Sequence, residues 1–313
     1  MDYRKAYPPM IEPSPVRGLW CATLTPLGHD GAIDHARMAA HVRALLAQGV
    51  DGVAPFGTTG EGPSFSVAER RAGLDALLAA GIPASRLVAA TGCAAFFDTV
   101  ALTRHALQVG CPRCLVLPPF FFKELSDDAV YRYFAALIDA VGDPRLSLYL
   151  YHIPQFSGVP ISPDVVAKLA ADFPRVIAGV KDSSGDFAHT TALLAHAPQL
   201  AILVGHEPDL PRLMRAGGAG TICGVANTFP RLVAALLKTD VTKEDENRLQ
   251  AFVDVIFQFP FLPAFKAIRA AQMNDAAWRT LRPPLFALDE GDRARLFAAL
   301  AAAGFPLATE TEQ

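Results

Sequence analysis

The sequence predicts a closed (β/α)8 TIM barrel of parallel strands with a helical extension at its C-terminal end. Three observations lead there. Eight short apolar runs alternate with longer amphipathic stretches, the strand-then-helix order that produces parallel pairing. The runs are nearly continuous in apolar character, as strands become when helices cover both faces of the sheet. The first run ends in TLTPLGHDG, without the glycine-rich phosphate loop that an open doubly wound sheet would place there. Eight such units in roughly 220 residues suit a barrel.

In chain order the predicted strands are GLWCATLTP, VDGVAPFG, RLVAATG, CLVLPP, RLSLYLYHIP, VIAGVKD, LAILVGH and GAGTICGVAN. Helical segments such as SVAERRAGLDALLAAG and SDDAVYRYFAALIDAVG lie between them. Ser66 with Glu69 three residues on is a capping box. Ser126 opens its helix with Asp127 and Asp128 in the first turn, and Gly81, Gly110 and Gly142 close helices. After Asn227 the strand signal stops. RLVAALLKTD reads as the last barrel helix, and ENRLQAFVDVIFQFP, LPAFKAIRAAQ and GDRARLFAALAAAG as the extension. The expected division is residues 1–15 as an N-terminal tail, 16–238 as the barrel and 239–313 as the helical extension. Both tails, 1–15 and 307–313, are Pro-rich or polar and expected to be loose.

Composition narrows the function classes. The 313 residues are 51% hydrophobic and 19% charged, with a net charge of -3, a profile of soluble globular proteins. Neither a basic stripe nor a Lys/Arg cluster points to nucleic acid. No apolar run reaches the roughly 18 residues a membrane helix needs, and the N-terminal stretch has no signal-peptide core, so a cytoplasmic location is expected. The five cysteines are an odd and widely spaced set, which argues against a disulfide framework. Cys111 and Cys114 form one C-x-x-C with no second pair to complete a zinc site. All five are expected to be reduced core residues.

Working residues of such barrels sit at the C-terminal strand ends. Those ends offer Thr23 and Thr25, then Thr58, Thr59 and Glu61, then the loop PPFFFK, then Tyr149, Tyr151 and His152. Lys181 with Ser183 and Ser184, His206 with Glu207, and Asn227 follow. Lys181 stands out, because lysine is among the residues least often buried. In a dry barrel mouth an ammonium is disfavoured, and a neutral amine attacks ketones to form a Schiff base. A structural ion pair with Glu61 or Asp182 is the alternative. Tyr151, on the neighbouring strand, can shuttle the protons that imine formation requires, or simply pack as an aromatic. Backbone N–H groups of GTTGEG, Gly57 included, can hold a carboxylate as anion nests do, or the loop is a plain turn. Together these suggest a 2-oxo acid substrate.

GTTGEG, YHIPQFSG and GVKDSSGD, in that order and at those strand ends, resemble the dihydrodipicolinate synthase/N-acetylneuraminate lyase (DapA-like) family of class I, Schiff-base-forming aldolases. The likeness extends from about Leu19 to the C-terminal LRPPLFALDEGDRARLFAALAAAG. It implies a pyruvate-type Schiff base on Lys181, a proton relay through Tyr151 and Thr58, and carboxylate binding at Thr59 and its loop. It also implies a dimer or tetramer of identical chains and chemistry without a metal or organic cofactor. Two positions depart from the pattern. Phe156 stands where dihydrodipicolinate-forming members carry an arginine for the aldehyde substrate's carboxylate, and phenylalanine cannot make that contact. Phe121 stands where many members have a second relay tyrosine, donated across a subunit interface. By the same resemblance Ser183 and Glu207 fall at positions that bind substrate hydroxyls in the lyase branch. His152 replaces a common asparagine, and Ile222 is counted among the substrate-lining residues.

The expected function is a Schiff-base lyase, aldolase or dehydratase, on a 2-oxo acid such as a 2-keto-3-deoxy sugar acid, with pyruvate as product or co-substrate. Three alternatives stay open. One is a hydratase-aldolase on an aryl-substituted 2-oxo acid, with Phe121 and Phe156 lining an apolar pocket. Another is 4-hydroxy-tetrahydrodipicolinate synthase. The last is a non-catalytic oxo-acid sensor.

Overall fold

The computed structural model describes residues 15–307. The two expected loose tails lie outside them, apart from the boundary residues 15 and 307. Eight parallel strands occur in the predicted order: β1 Gly18–Cys21, β2 Gly52–Val53, β3 Ala89–Ala90, β4 Arg113–Val116, β5 Ser147–His152, β6 Ile177–Asp182, β7 Ala201–Val204 and β8 Gly220–Cys223. They pair in the order β2-β1-β8-β7-β6-β5-β4-β3. The two ends meet through a parallel bridge from Val53 to Leu87, where the Val88 N–H donates to the Val53 carbonyl at 2.9 Å. The barrel is therefore closed, as the sequence predicts. β2 and β3 hold only two residues each.

Around the sheet run α1 His35–Ala47, α2 Val67–Ala79, α3 Phe96–Gln108, α4 Asp127–Val141, the one-turn α5 Pro154–Ser157, α6 Pro163–Asp172, α7 Phe187–His196, α8 Leu210–Arg215 and α9 Pro230–Ala235. The helices α10 Lys243–Ile256, α11 Phe261–Met273 and α12 Glu290–Ala302 follow. The expected caps form. The Ser66 and Glu69 side chains complete the capping box, and Ser126 caps α4, which Gly142 closes in the left-handed conformation. Gly81 and Gly110 end their helices at φ +81 and +84. No single helix among the described residues is long and apolar enough to cross a membrane.

The core has two shells. Trp20, Val88, Leu115, Tyr149, Leu203 and Ile222 belong to the inner one, enclosed by the strands. The outer shell lies between strands and helices and includes Leu148, Leu150, Val180, Ile202 and Val204. Alternation along a strand generates this division, since successive side chains point to opposite faces. On β5, Tyr149 and Tyr151 fall in the inner shell while Leu148 and Leu150 fall in the outer.

Four cysteines, Cys21, Cys111, Cys114 and Cys223, are buried and unbridged. Burial pushes the Cys111 thiol up to about 11. Cys93 departs from the expectation. It is only partly buried, and its sulfur accepts from Arg70 Nη1 at 3.1 Å.

Candidate active site

The C-terminal strand ends open into a cavity of about 340 Å³. Lys181, on β6, lines its floor and is 4% exposed. Its register partner on β5 is Tyr151. The Lys181 Nζ stands 4.2 Å from the centroid of the Tyr151 ring. The Tyr151 hydroxyl shares a hydrogen bond of 3.1 Å with Thr58 Oγ1.

Neither structural ion pair weighed for Lys181 exists. Glu61 contacts the Lys266 ammonium of α11, and both side chains are wholly buried. Asp182 pairs instead with His189 Nδ1 at 2.8 Å. Among the described residues no carboxylate lies within ion-pairing distance of Lys181, although charged groups are almost never buried unless paired. A buried lysine in a cavity without a counter-charge is a candidate functional group.

The loop GTTGEG is bent into shape by two left-handed residues, Phe56 at φ 61 and Glu61 at φ 55. Gly62 is obligatory there, since a Cβ would fall 1.8 Å from the Phe56 carbonyl oxygen. Thr25 Oγ1 ties the loop to β1 by donating to the Gly60 carbonyl at 2.7 Å. The Lys266–Glu61 pair ties it to α11, and Lys266 also donates to the Thr280 carbonyl at 2.7 Å. Burial lowers the Lys266 pKa, opposed by the Glu61 charge. Thr58 and Thr59 are left facing the cavity. Among the described residues their backbone N–H groups meet no acceptor, so they are available to an anion.

Ser183, Glu207, Phe156 and Ile222 also line the cavity. The Ser183 hydroxyl is buried and has no hydrogen-bond partner among the described residues, a deficit that a ligand oxygen would satisfy. Glu207 Oε1 accepts from the Gly224 and Val225 N–H groups at 3.1 and 3.0 Å, so this carboxylate also fastens the turn after β8. Phe156 sits at the mouth, 57% exposed, edge-on to Phe261.

Three expected substrate contacts are not brought to the cavity. His152 follows Tyr151 on β5 and so points outward. Its Nδ1 accepts the Ile161 N–H at 3.0 Å, and its ring stacks on His189. Phe121 is 73% exposed and packs against Phe122 beyond the cavity of its own chain. Gly57 is buried within the loop, where its carbonyl accepts the Gly62 N–H at 3.0 Å. Asn227, another strand-end polar residue, is structural: it accepts from the Leu24 N–H and donates to the Ala22 and Gly224 carbonyls.

Several lining residues were not singled out from sequence. Gln155 lines the cavity and donates to the Ser183 carbonyl at 2.6 Å. His206, already among the strand-end residues read from the sequence, also lines the cavity with Nδ1 2.8 Å from Asp209, and the hydrogen bond to Asp209 raises its pKa against the effect of burial. Phe257 comes from the turn after α10, and Phe261 and Phe265 from α11, and no local pattern marks those residues as barrel-mouth residues. Gly205 is a spacer: a Cβ there would lie 1.9 Å from Ser183 Oγ and 2.9 Å from Lys181 Cε.

Residues 15–303 match the model of the Dihydrodipicolinate synthetase family. The chain belongs to that family. Its members are class I aldolases and lyases. A Chloroflexus aurantiacus protein named as a DapA-like lyase is 39% identical over 297 residues, covering 93% of this chain and 97% of that protein. The crystal structure of dihydrodipicolinate synthase from Agrobacterium tumefaciens str. C58 matches with a TM-score of 0.87 at 38% identity, over 91% of this chain and 99% of the other. The prophage protein YagE of E. coli K12, a family member solved in complex with pyruvate, matches with a TM-score of 0.84 at 26% identity, over 92% and 99%.

Proposed function

We propose that the chain is a Schiff-base lyase acting on a 2-keto-3-deoxy sugar acid, with pyruvate as the released fragment. The carrying observation is Lys181: buried in the cavity lining, without a carboxylate partner among the described residues, and against the ring of a tyrosine whose hydroxyl is bonded to Thr58. The pyruvate complex of YagE supports a small 2-oxo acid in a site of this kind.

In this reading the Thr58–Thr59 N–H groups hold the substrate carboxylate and present C2 to Lys181. The lysine nitrogen attacks C2, and the carbinolamine loses water to give an iminium, with Tyr151 relaying the protons. The iminium withdraws the electron pair of the C3–C4 bond as that bond breaks. The C4 hydroxyl gives up its proton to the Tyr151 relay, the C4 fragment leaves as an aldehyde, and the relay returns a proton to C3 of the resulting enamine. Hydrolysis of the imine frees pyruvate and regenerates Lys181. The lysine is the electrophilic catalyst, so the sequence of bond changes requires no metal or organic cofactor. Ser183 Oγ and Glu207 are the groups available to substrate hydroxyls.

A second reading rests on the mouth, where Phe156, Phe257 and Phe261 give an apolar rim suited to an aryl-substituted 2-oxo acid. Condensation with an aldehyde that bears a carboxylate is disfavoured, because among the described residues no arginine lines the cavity. We infer, as for the family, an assembly of identical chains.

The test is borohydride reduction in the presence of pyruvate followed by intact-mass and peptide analysis. A reduced adduct on Lys181 is expected, and its absence overturns the mechanism. A panel of 2-keto-3-deoxy sugar acids and aryl 2-oxo acids then separates the two substrate readings, since turnover of aryl acids alone selects the second.

A further inference from the structure

Directly behind the lysine and tyrosine, on the outer side of the sheet, lies a polar cluster that the reaction above does not use. His152, Asp182 and His189 place potential ligand atoms within 4.8 Å of one another, a spacing that also suits a metal ion. Their hydrogen bonds assign a proton there instead. His189 Nδ1 faces Asp182 Oδ2 at 2.8 Å, and His189 Nε2 faces the Ile161 carbonyl at 2.9 Å. A carboxylate and a carbonyl can only accept, so each ring nitrogen must carry a hydrogen. A ring turned over by 180° would set carbon atoms against both oxygens. The Asp182 carboxylate also accepts from the Thr190 hydroxyl and from the Ser184 N–H and hydroxyl. His152 is the opposite case. Its Nδ1 accepts the Ile161 N–H, so that nitrogen is bare, and its ring stacks on His189 at 4.0 Å.

We propose that His189 is a doubly protonated imidazolium in the folded protein and a positioning residue for the Lys181–Tyr151 pair. Its two N–H groups clamp the end of β6, one residue past Lys181, to Ile161. The N–H of Ile161 in turn holds His152, one residue past Tyr151. The clamp fixes the register in which the lysine nitrogen meets the tyrosine ring. The neighbouring charges agree with this. From β6 the Asp182 carboxylate faces His189, from β5 the neutral His152 ring, and from the turn before α7 Asp186. Burial favours the neutral His189 ring, but the Asp182 hydrogen bond and charge, the Ile161 carbonyl and Asp186 outweigh it and raise its pKa. Burial first, and then the His189 charge, push His152 down to about 4.

The full-length protein labelled with ring-15N histidine tests the assignment without any substrate, so this arm is independent of the proposed reaction. His189→Gln identifies the resonances. Both His189 ring nitrogens are expected to be protonated at pH 7, with a titration midpoint above the ordinary value of about 6.5. In Asp182→Asn that midpoint falls below the ordinary value. A bare ring nitrogen on His189 at pH 6 overturns the proposal. The kinetic arm rests on the Schiff-base reading. Misplacement of reacting groups by an ångström can cost on the order of a hundredfold, so His189→Gln is expected to lower kcat by about tenfold or more with KM nearly unchanged. The alkaline fall in wild-type kcat should follow the NMR midpoint and disappear in His189→Gln, which cannot titrate. A variant with wild-type kcat, or with the same alkaline limb, refutes the positioning role.

Discussion

Lys181 and Tyr151 are register partners on adjacent strands, and the lysine nitrogen lies 4.2 Å from the centroid of the tyrosine ring. Parallel pairing sets this directly. Both residues occupy inward positions at the same level of the barrel, so neither needs an unusual backbone to meet the other. The contact places the phenol, already bonded to Thr58, beside the atom at which an imine would form and hydrolyse.

Tyr151→Phe keeps the ring against Lys181 and removes only the hydroxyl. General acid–base catalysis of this kind contributes roughly 10²- to 10⁴-fold. Turnover is expected to drop by about that factor while slow, borohydride-trappable imine formation persists. Thr58→Val, which deprives the phenol of its partner, should cost less, on the order of tenfold, the worth of one hydrogen bond. Steady-state kcat for the two variants checks the order; equal losses would show that Thr58 does more than orient the tyrosine.

Gly205→Ala tests the packing behind the nucleophile. The added methyl would overlap Ser183 Oγ and crowd Lys181 Cε. Relieving it moves the lysine, so imine formation should slow by about tenfold to a hundredfold while the circular dichroism spectrum is unchanged. Wild-type trapping kinetics would show that the lysine stem yields without consequence.

Lys266→Met leaves the Glu61 carboxylate buried with no counter-charge. Breaking a buried pair in this way costs about 3–5 kcal/mol, read as a lowered midpoint in denaturant unfolding. Because Glu61 belongs to the loop proposed to hold the substrate carboxylate, weaker pyruvate binding is expected alongside. Lys266→Met with Glu61→Gln should recover part of the stability, since the second change removes the stranded charge.

Acid should weaken the fold through two buried imidazoles. Burial, and then the Arg269 charge, push His41 down to about 3, and His152 is pushed down to about 4. Both folded values lie below the unfolded value of about 6.5. The stabilisation is therefore present above that pH and is lost as pH falls from there toward the folded values. Each group contributes a limiting slope of about 1.4 kcal/mol per pH unit. His189 has the opposite sign: its raised pKa stabilises below about pH 6.5, and that contribution disappears as pH rises through the folded value. Urea midpoints across pH 4–9 should trace a maximum near neutrality; a flat profile on the acid side would contradict the buried neutral state of His41 and His152.

The strand order and the cap positions at Ser66, Ser126 and Gly142 were legible because they depend on local signals: apolar run length, helix-start chemistry and positive-φ glycine. Lys181, Tyr151, Thr58 and Thr59 were legible because strand ends carry barrel chemistry, and the structure does bring all four to one cavity. His152 was misplaced for a simple reason. It lies beside Tyr151 in sequence, but a step of one residue along a strand reverses direction, and the side chain enters the outer layer with His189. Phe121 could not be placed, because the loop after β4 carries it away from its own chain's cavity. The apolar rim of Phe257 and Phe261, in the turn after α10 and at the start of α11, was invisible, because those residues lie dozens of positions from any barrel motif.

The sequence alone determined the barrel, its closure by eight parallel strands, and the lysine at the end of VIAGVK. Those follow from short-range pattern, which hydrophobic burial and backbone hydrogen bonding translate into elements. Tertiary structure decided which carboxylate answers which cation. Glu61 goes to Lys266 and Asp182 to His189, so among the described residues Lys181 is left without a carboxylate partner. Ion pairing depends on distances of a few ångströms between residues far apart in the chain, and only the packed barrel sets those distances.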